Sequence, residues 1–323
     1  MINSARIKRL VRSKETLLIL ITLLIILGFY MVNPNFLSLG SLRGIMQSMS
    51  IMGIMAVGIA TLLIGGSIDL SSSLVCLFSG VICAKMIDAG MFWGFAVVIT
   101  LMVGACLGGV NAFFISKLGM MPFIATIALS NVLAGINLGI TNAQNVPIPL
   151  ESFWWAGNNL FGIFPVSFVI MMALLGIYGF ILSYTQFGRN IYLVGGNMNA
   201  ARLAGVNPVK IRSILYINNA VMAALAGIVL ASRMHSASPS SLSDAQMSAY
   251  AAAVLGGIAF TGGAGGMTAC MIGIVLMNFF NMGLNSLALD ASWSIISSGV
   301  LLLIALTVDF FNERAREKAL KAN

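Results

Sequence analysis

The sequence predicts an all-α integral membrane protein, a polytopic bundle of about ten transmembrane helices. Three observations predict it. Hydrophobic residues make up 59% of the chain and charged residues only 8%, against about a quarter charged in soluble domains. Apolar runs near the ~20 residues needed to cross a bilayer recur along the whole length. The remaining charges fall mostly between those runs or at the two ends, where they set orientation. A single transmembrane domain over residues 1–323 follows, because the size rule for soluble domains does not apply to a bundle of spans.

The expected spans run in order. An amino-terminal segment, residues 1–15, carries five basic residues, Arg6, Lys8, Arg9, Arg12 and Lys14. The apolar run after it, Thr16–Val32, is followed by Asn33-Pro34-Asn35 rather than a small-residue cleavage site, so it reads as an uncleaved first span. The second is Ile45–Ile64. Gly65-Gly66-Ser67-Ile68-Asp69 interrupts, and Leu70–Met86 is the third. Met91–Ser116 and Met121–Ile140 follow. The polar loop 141–159 holds Trp154 and Trp155. The sixth span is Leu160–Tyr184. Beyond a basic loop come Ile214–Ser232, Ala249–Phe260, Met267–Leu284 and Trp293–Val308, before a charged tail at 310–323. The eighth is short and bounded by glycine, which suits a re-entrant or broken helix.

The charges then choose an orientation. With a cytoplasmic amino terminus and ten crossings, the five amino-terminal cations, Lys117, Arg189, Arg202, Lys210, Arg212, Arg314, Arg316, Lys318 and Lys321 lie inside. Only Arg43, Lys85 and Arg233 lie outside, a ratio of 14 to 3. This is the positive-inside pattern, with both termini cytoplasmic. The net charge of +8 therefore reports topology and contact with anionic lipid, not nucleic-acid binding, which needs a solvated basic face. Trp154 and Trp155 suit the outer interface. Cys76, Cys83, Cys106 and Cys270 all lie in apolar runs and read as packing residues without a metal or disulfide pattern.

The chemistry available inside the membrane is sparse. Asp69 is the acidic residue nearest the middle of a long apolar region. It reads either as a pore-lining break or ion-pair anchor, or as part of an ordinary interfacial loop. The spans carry no ladder of ionisable groups of the kind a proton relay uses. They carry amides instead: Asn111, Asn131, Asn137, Asn278, Asn281 and Asn285. The last three repeat at i, i+3, i+7 on one helix face. That face suits an uncharged polar solute such as a sugar, or hydrogen bonding between spans. Gly65, Gly66, Gly256, Gly257, Gly262 and Gly263 are candidates for hinges or close helix packing. Gly262–Gly266 lacks the Lys-Ser/Thr ending of a phosphate loop. The lone His235 has no partners for catalysis or metal binding. No enzymatic motif is present, and no catalytic or metal-ligating residue is assigned.

The stretch 188–212, GRNIYLVGGNMNAARLAGVNPVKIR, holds four cations and no acid. Its punctuation predicts a short helix at Met198–Ala204, capped by Asn197 or Asn199. Gly195-Gly196-Asn197 supplies the turn before it and Gly205-Val206-Asn207-Pro208 the stop after it. Such a segment suits contact with a soluble partner.

Three blocks together resemble a known family. They are IMAVGIATLLIGGSIDLSSS at 54–73, the 188–212 stretch, and AYAAAVLGGIAFTGGAGG at 249–266. In that order they resemble the permease subunit of a bacterial ATP-binding-cassette (ABC) importer, of the ribose, xylose and simple-sugar branch. The resemblance implies a multi-pass protein of the bacterial cytoplasmic (inner) membrane that forms the path for a monosaccharide. It implies three partners: a second permease subunit, the same or related; a cytoplasmic ABC ATPase; and a periplasmic or lipid-anchored sugar-binding protein. ATP and Mg would bind the ATPase, so this chain is not itself an enzyme and carries no cofactor. The coupling residues it implies are Arg189, Gly195, Gly196, Asn199, Ala200, Ala201, Arg202, Gly205, Asn207 and Lys210. Asn199 departs from the family pattern, which has Glu there, and Ser67 is inserted in the first block. The path candidates are Asp69, Asn111, Asn131, Asn278, Asn281 and Asn285. The rival function is a self-energised secondary transporter or facilitator.

Overall fold

The structure is a computed structural model. It describes residues 14–240, 245–287, 292–293, 295–304, 306–307 and 310. Arg6, Lys8, Arg9, Arg12 and the tail cations Arg314, Arg316, Lys318 and Lys321 lie outside the described residues.

Each predicted apolar segment has a helical counterpart. In chain order these are α1 (Lys14–Val32), α2 (Leu39–Ile64), α3 (Ser72–Asp88), α4 (Trp93–Ala112), α5 (Pro122–Thr141) and α6 (Val166–Tyr184). Then come two short helices, α7 (Gln186–Gly196) and α8 (Met198–Leu203), followed by α9 (Pro208–Met234), α10 (Ala245–Leu255) and α11 (Met267–Ser286). A last apolar helix, α12, covers Ile295–Ile304. Six of them, α2, α4 with its terminal π-turn, α5, α6, α9 and α11, are long and apolar enough to cross a membrane.

Local chemistry sets the boundaries. Ser38 caps α2, its Oγ accepting from Ser41 N at 3.3 Å. Pro122 and Pro208 occupy the first turns of α5 and α9, where a missing N–H costs nothing. Pro208 starts α9 six residues before the apolar run that marks it in the sequence. The expected eighth span, Ala249–Phe260, is corrected: α10 has 11 residues, roughly 16 Å of helix against a hydrocarbon core of about 30 Å. Gly256 and Gly257 end it. The expected sixth span also starts later, at Val166, because Pro165 precedes it.

The core is built on α2 and α9. Every residue of α2 from Met49 to Ile64 is buried, as expected of a helix that is apolar all round. α9 packs against α2, α3 and α4. Between spans there is no hydrophobic drive beyond that of lipid, so close contact depends on small residues. A Cβ on Gly227 of α9 would overlap the Cys76 carbonyl of α3. Cys76, Cys83 and Cys270 are buried and free, as expected of packing residues, whereas Cys106 is exposed.

One end of the bundle carries a folded cap. A 3-10 turn at Glu151–Gly157 buries Phe153 completely. Ser232 of α9 donates to the Phe153 carbonyl and accepts from Ala156 N at 3.1 Å. His235 ends α9 in the left-handed conformation, φ 53°, and stacks on Trp154 with ring centroids 4.0 Å apart. Its place is structural. The strand pair Val146–Pro147 and Ser236–Ala237 closes this cap.

Candidate functional site

Three glycine pairs, distant in sequence, meet at the opposite end of α9. Gly65-Gly66 ends α2, Gly195-Gly196 ends α7, and Gly262-Gly263 lies in the loop between α10 and α11. Gly263 N donates to the Ile64 carbonyl at 2.8 Å. A Cβ on Gly195 would overlap that same oxygen. One on Gly262 would fall 2.7 Å from Gly66 Cα, and one on Gly263 would fall 2.6 Å from Gly196 Cα. Backbone meets backbone here, which only glycine permits. The three sequence blocks are therefore one joint. Tyr192 of α7 adds a tie, its Oη donating to Gly265 O at 2.8 Å.

Directly after this joint the chain turns back into the bundle through Ser67–Ser71, and Asp69 is completely buried. Its Oδ1 accepts from Ser71 N at 2.8 Å and from Ser71 Oγ at 2.5 Å. Its Oδ2 accepts from Asn219 at 3.0 Å and Asn111 at 3.3 Å. Its backbone N–H donates to Tyr250 Oη at 2.8 Å. These partners come from α4, α9 and α10, so one carboxylate ties three helices to the break between α2 and α3. The donors to its oxygens are all neutral. Ser67, the inserted residue, accepts from Arg212 Nε at 2.9 Å and Nη2 at 2.6 Å. Asp69 and Asn111 thus stand together in a sealed anchor. Asn219, Tyr250 and Arg212 join them. Sequence reasoning did not assign Asn219 or Tyr250, because their partner lies 150 to 181 residues away.

Beyond the joint, the basic stretch is two helices rather than one. Gly195 and Gly196 are not the turn before the short helix; they complete the last turn of α7. Gly188 begins inside α7, and Arg212 already lies in α9. The break falls at Asn197, φ −159° and ψ 108°. Its Oδ1 accepts from Asn199 N at 2.9 Å and Ala200 N at 3.0 Å, which makes Asn197 the cap. Gly205, φ +79°, stops α8, with Val206 N donating back to Ala201 O at 2.9 Å. Asn207 caps α9 through Lys210 N at 3.1 Å. Ala201 is buried, while Arg189, Asn199, Ala200, Arg202, Gly205 and Lys210 are exposed. Leu203, which sequence reasoning did not select, is 91% exposed. Asn197→Ala is expected to cost about 1 kcal/mol of local helix stability. Faster amide hydrogen exchange at Asn199 and Ala200 would register it.

The amides separate into groups. Asn131 of α5 is exposed and meets none of the other candidates. Asn137 is buried and donates to Pro239 O at 3.1 Å, pinning α5 to the loop after the Ser236–Ala237 strand. Asn278 and Asn281 of α11 line a cavity of about 210 Å³ together with Ser48, Arg233, Ser248 and Ser298. Asn285, one turn further on, is exposed and does not line it. Arg233, counted as an outer cation just beyond the expected span, stands in the last turn of α9. By helical rise, the α2 residues of this cavity stand roughly 18–24 Å from Ile64, so it lies toward the capped end of the bundle, where Arg233 stands in the last turn of α9, and away from the glycine joint.

Comparison with known proteins agrees with this architecture. A family model described as "Branched-chain amino acid transport system / permease component" matches residues 41–306. The ribose import permease protein RbsC of Escherichia coli K12 is 32% identical over 299 residues, 90% of this chain and 92% of the relative. The RbsC of Bacillus subtilis 168 is 33% identical over 282 residues, 86% and 87% of the two chains. The L-arabinose transport system permease protein AraH of E. coli K12 is 33% identical over 284 residues, 88% and 86% of the two chains. The chain belongs to this family of ABC-importer permeases, the membrane-spanning components of transport systems, and stands among its ribose and arabinose members.

Proposed function

We propose that this chain forms the translocation path of a monosaccharide importer in the bacterial inner membrane. It works with a second permease subunit, a cytoplasmic ATPase and an extracytoplasmic sugar-binding protein. The termini are cytoplasmic, and the α7–α8 end faces the cytoplasm, in keeping with Arg189, Arg202, Lys210 and Arg212 gathered there. Arg43 and Arg233, counted as outer cations, stand at the opposite end of α2 and α9. α10 and the glycine loop after it carry the chain from the outer cap to the joint as a broken helix, which preserves the ten-segment path. ATP and Mg belong to the partner ATPase, and lipid surrounds the exposed faces of α1, α5 and α6.

The observation that carries this reading is the construction of the α7–α8 segment. Its root is locked to α2 backbone to backbone, and its tip presents Arg202 beside a Leu203 left 91% exposed. A lone exposed leucine is ordinary on a surface; here it stands beside a cation on an element rooted in the core, the make-up of a docking anchor. A rigid element rooted in the core passes a partner's rigid-body displacement to the spans. Asn199 in place of the family's Glu makes this docking apolar and cationic rather than acidic. The family description names amino acids, but ribose and arabinose permeases are among the relatives that match over 86% to 95% of this chain, which supports a sugar as the solute.

Leu203→Ser is expected to remove about 2 kcal/mol of docking energy, roughly thirtyfold in affinity for the ATPase. Arg202→Glu and Gly205→Pro are expected to abolish uptake while the chain still inserts. Co-purification of the ATPase with each variant, beside cellular sugar uptake, tests this. Normal association and transport in all three would remove α8 from the docking role.

A further inference from the structure

The cavity around Arg233 has the chemistry of a binding site rather than of a packing defect. Four helices, α2, α9, α10 and α11, and Ser298 of α12 line it. Asn281 is among the lining residues, and its buried Oδ1 has no hydrogen-bond partner among the described residues. Asn278 spends its Nδ2 on the Ile274 carbonyl of its own helix, at 3.0 Å. The Ser248 and Ser298 hydroxyls share one hydrogen bond, 3.0 Å long, which leaves one O–H to point elsewhere. Arg233 brings a fork of five N–H donors, and no described residue accepts from it. A buried acceptor without a partner is rare in a native interior and calls for a ligand or water; the half-buried Arg233 fork beside it has donors free to meet the same ligand.

We infer that this cavity is a solute-binding site within the permease, that it takes a neutral polyhydroxylated solute of monosaccharide size, and that Arg233 and Asn281 are its principal recognition groups. This rests on the sugar-import reading and adds to it the site, its residues and its selectivity. The unpaired groups are of opposite kinds. A vicinal diol can accept from the Arg233 guanidinium through one oxygen and donate to Asn281 Oδ1 through the next. The serine hydroxyls can act in either sense and so adapt to hydroxyls of differing configuration. Ile51, Met52 and Leu230 supply apolar walls for the C–H faces of a sugar ring. The volume of about 210 Å³ falls below the roughly 300 Å³ at which sites for drug-sized ligands begin, which is the scale of a single sugar ring. No described lining residue is acidic, so the ammonium group of an amino acid finds no counter-charge there.

The site is also placed to change with the transport cycle. α10 and α11, which carry Ser248, Asn278 and Asn281, are joined by the loop that holds Gly262 and Gly263. A shift of the glycine joint moves two of the cavity's walls relative to α2 and α9.

The test uses the whole importer, the permease with its own ATPase and binding protein, in proteoliposomes. Entry of radiolabelled D-ribose and L-arabinose is measured per ATP hydrolysed. If the unaltered importer moves neither these nor any other monosaccharide of a panel, the sugar reading itself fails, and this inference with it. Given transport, Arg233→Gln and Asn281→Leu are expected to cut the sugar moved per ATP by about tenfold or more, because each strands its partner's polar group. Arg233→Lys, which keeps a charged donor, is expected to restore a large part. An excess of L-leucine is expected not to compete. A sugar-to-ATP ratio unchanged in both variants, with uptake falling only as assembled importer falls, would show that these residues merely pack. Competition by L-leucine would overturn the neutral-polyol selectivity.

Discussion

Gly195→Val is expected to abolish sugar uptake and to destabilise the chain by about 3 kcal/mol or more, at the upper end for overpacking a filled interior. The Cβ it adds points at the Ile64 carbonyl, which already accepts from Gly263 N at 2.8 Å. A carbonyl at a helix terminus cannot rotate away as a side chain can. Relief requires the ends of α2 and α7 to part and the glycine loop to lose its hydrogen bond. The neighbouring residue supplies the control. The nearest atom to a Cβ on Gly196 is Gly263 Cα at 4.0 Å, an ordinary contact, so Gly196→Ala is expected to retain uptake. Thermal unfolding of the purified permease beside cellular uptake reads both variants. Equal tolerance of the two substitutions would mean that the joint is looser than its geometry requires.

The second large effect is at Asp69. Asp69→Ala takes away the acceptor of Ser71 N and of Ser71 Oγ, and one acceptor each from Asn111 and Asn219. Each buried donor left unmade costs about 1–3 kcal/mol. Asn111 can fall back on Ser71 Oγ at 3.0 Å and Asn219 on Ser72 Oγ at 2.9 Å, so the sum is set near 3 kcal/mol. Asp69→Asn restores one oxygen but turns an amide N–H₂ toward two others, so it recovers only part. Asn131→Ala, on an exposed face, is expected to stay within about 0.5 kcal/mol of the parent chain. Thermal denaturation of the three variants in detergent orders them; Asp69→Ala as stable as Asn131→Ala would remove Asp69 as the anchor.

Both effects depend on contacts the sequence states only in part. The long helices were legible because an apolar run of span length has few alternatives in a bilayer. Asn278 and Asn281 were legible because i, i+3 spacing places two amides on one face whatever surrounds them. Asn285 continues that spacing, but one more turn carries it past the cavity. α10 was read too far because Ala249–Phe260 is apolar throughout, and hydropathy does not register that Gly256-Gly257 ends the helix. Arg233 fell one residue past the expected span because a cation closing an apolar run resembles a boundary; α9 in fact runs on to Met234. The glycine joint is the clearest case. Gly65-Gly66 and Gly262-Gly263 were visible as sites of close packing and Gly195-Gly196 as a turn, but which pairs meet is a tertiary fact, between segments that follow one another 67 to about 130 residues apart in the chain. Asp69 stood between two readings for the same reason, since its amide and phenol partners lie on other helices.

The central claim is that transport through this chain is driven from outside it, through the rooted α7–α8 segment. Sugar uptake into proteoliposomes, with and without the ATPase, the binding protein and ATP, tests it most directly. Accumulation of a monosaccharide only when all three are supplied, and its loss with Arg202→Glu, is the predicted result. Accumulation by the chain alone under an imposed sodium or proton gradient would contradict it, and would make this protein a self-energised transporter.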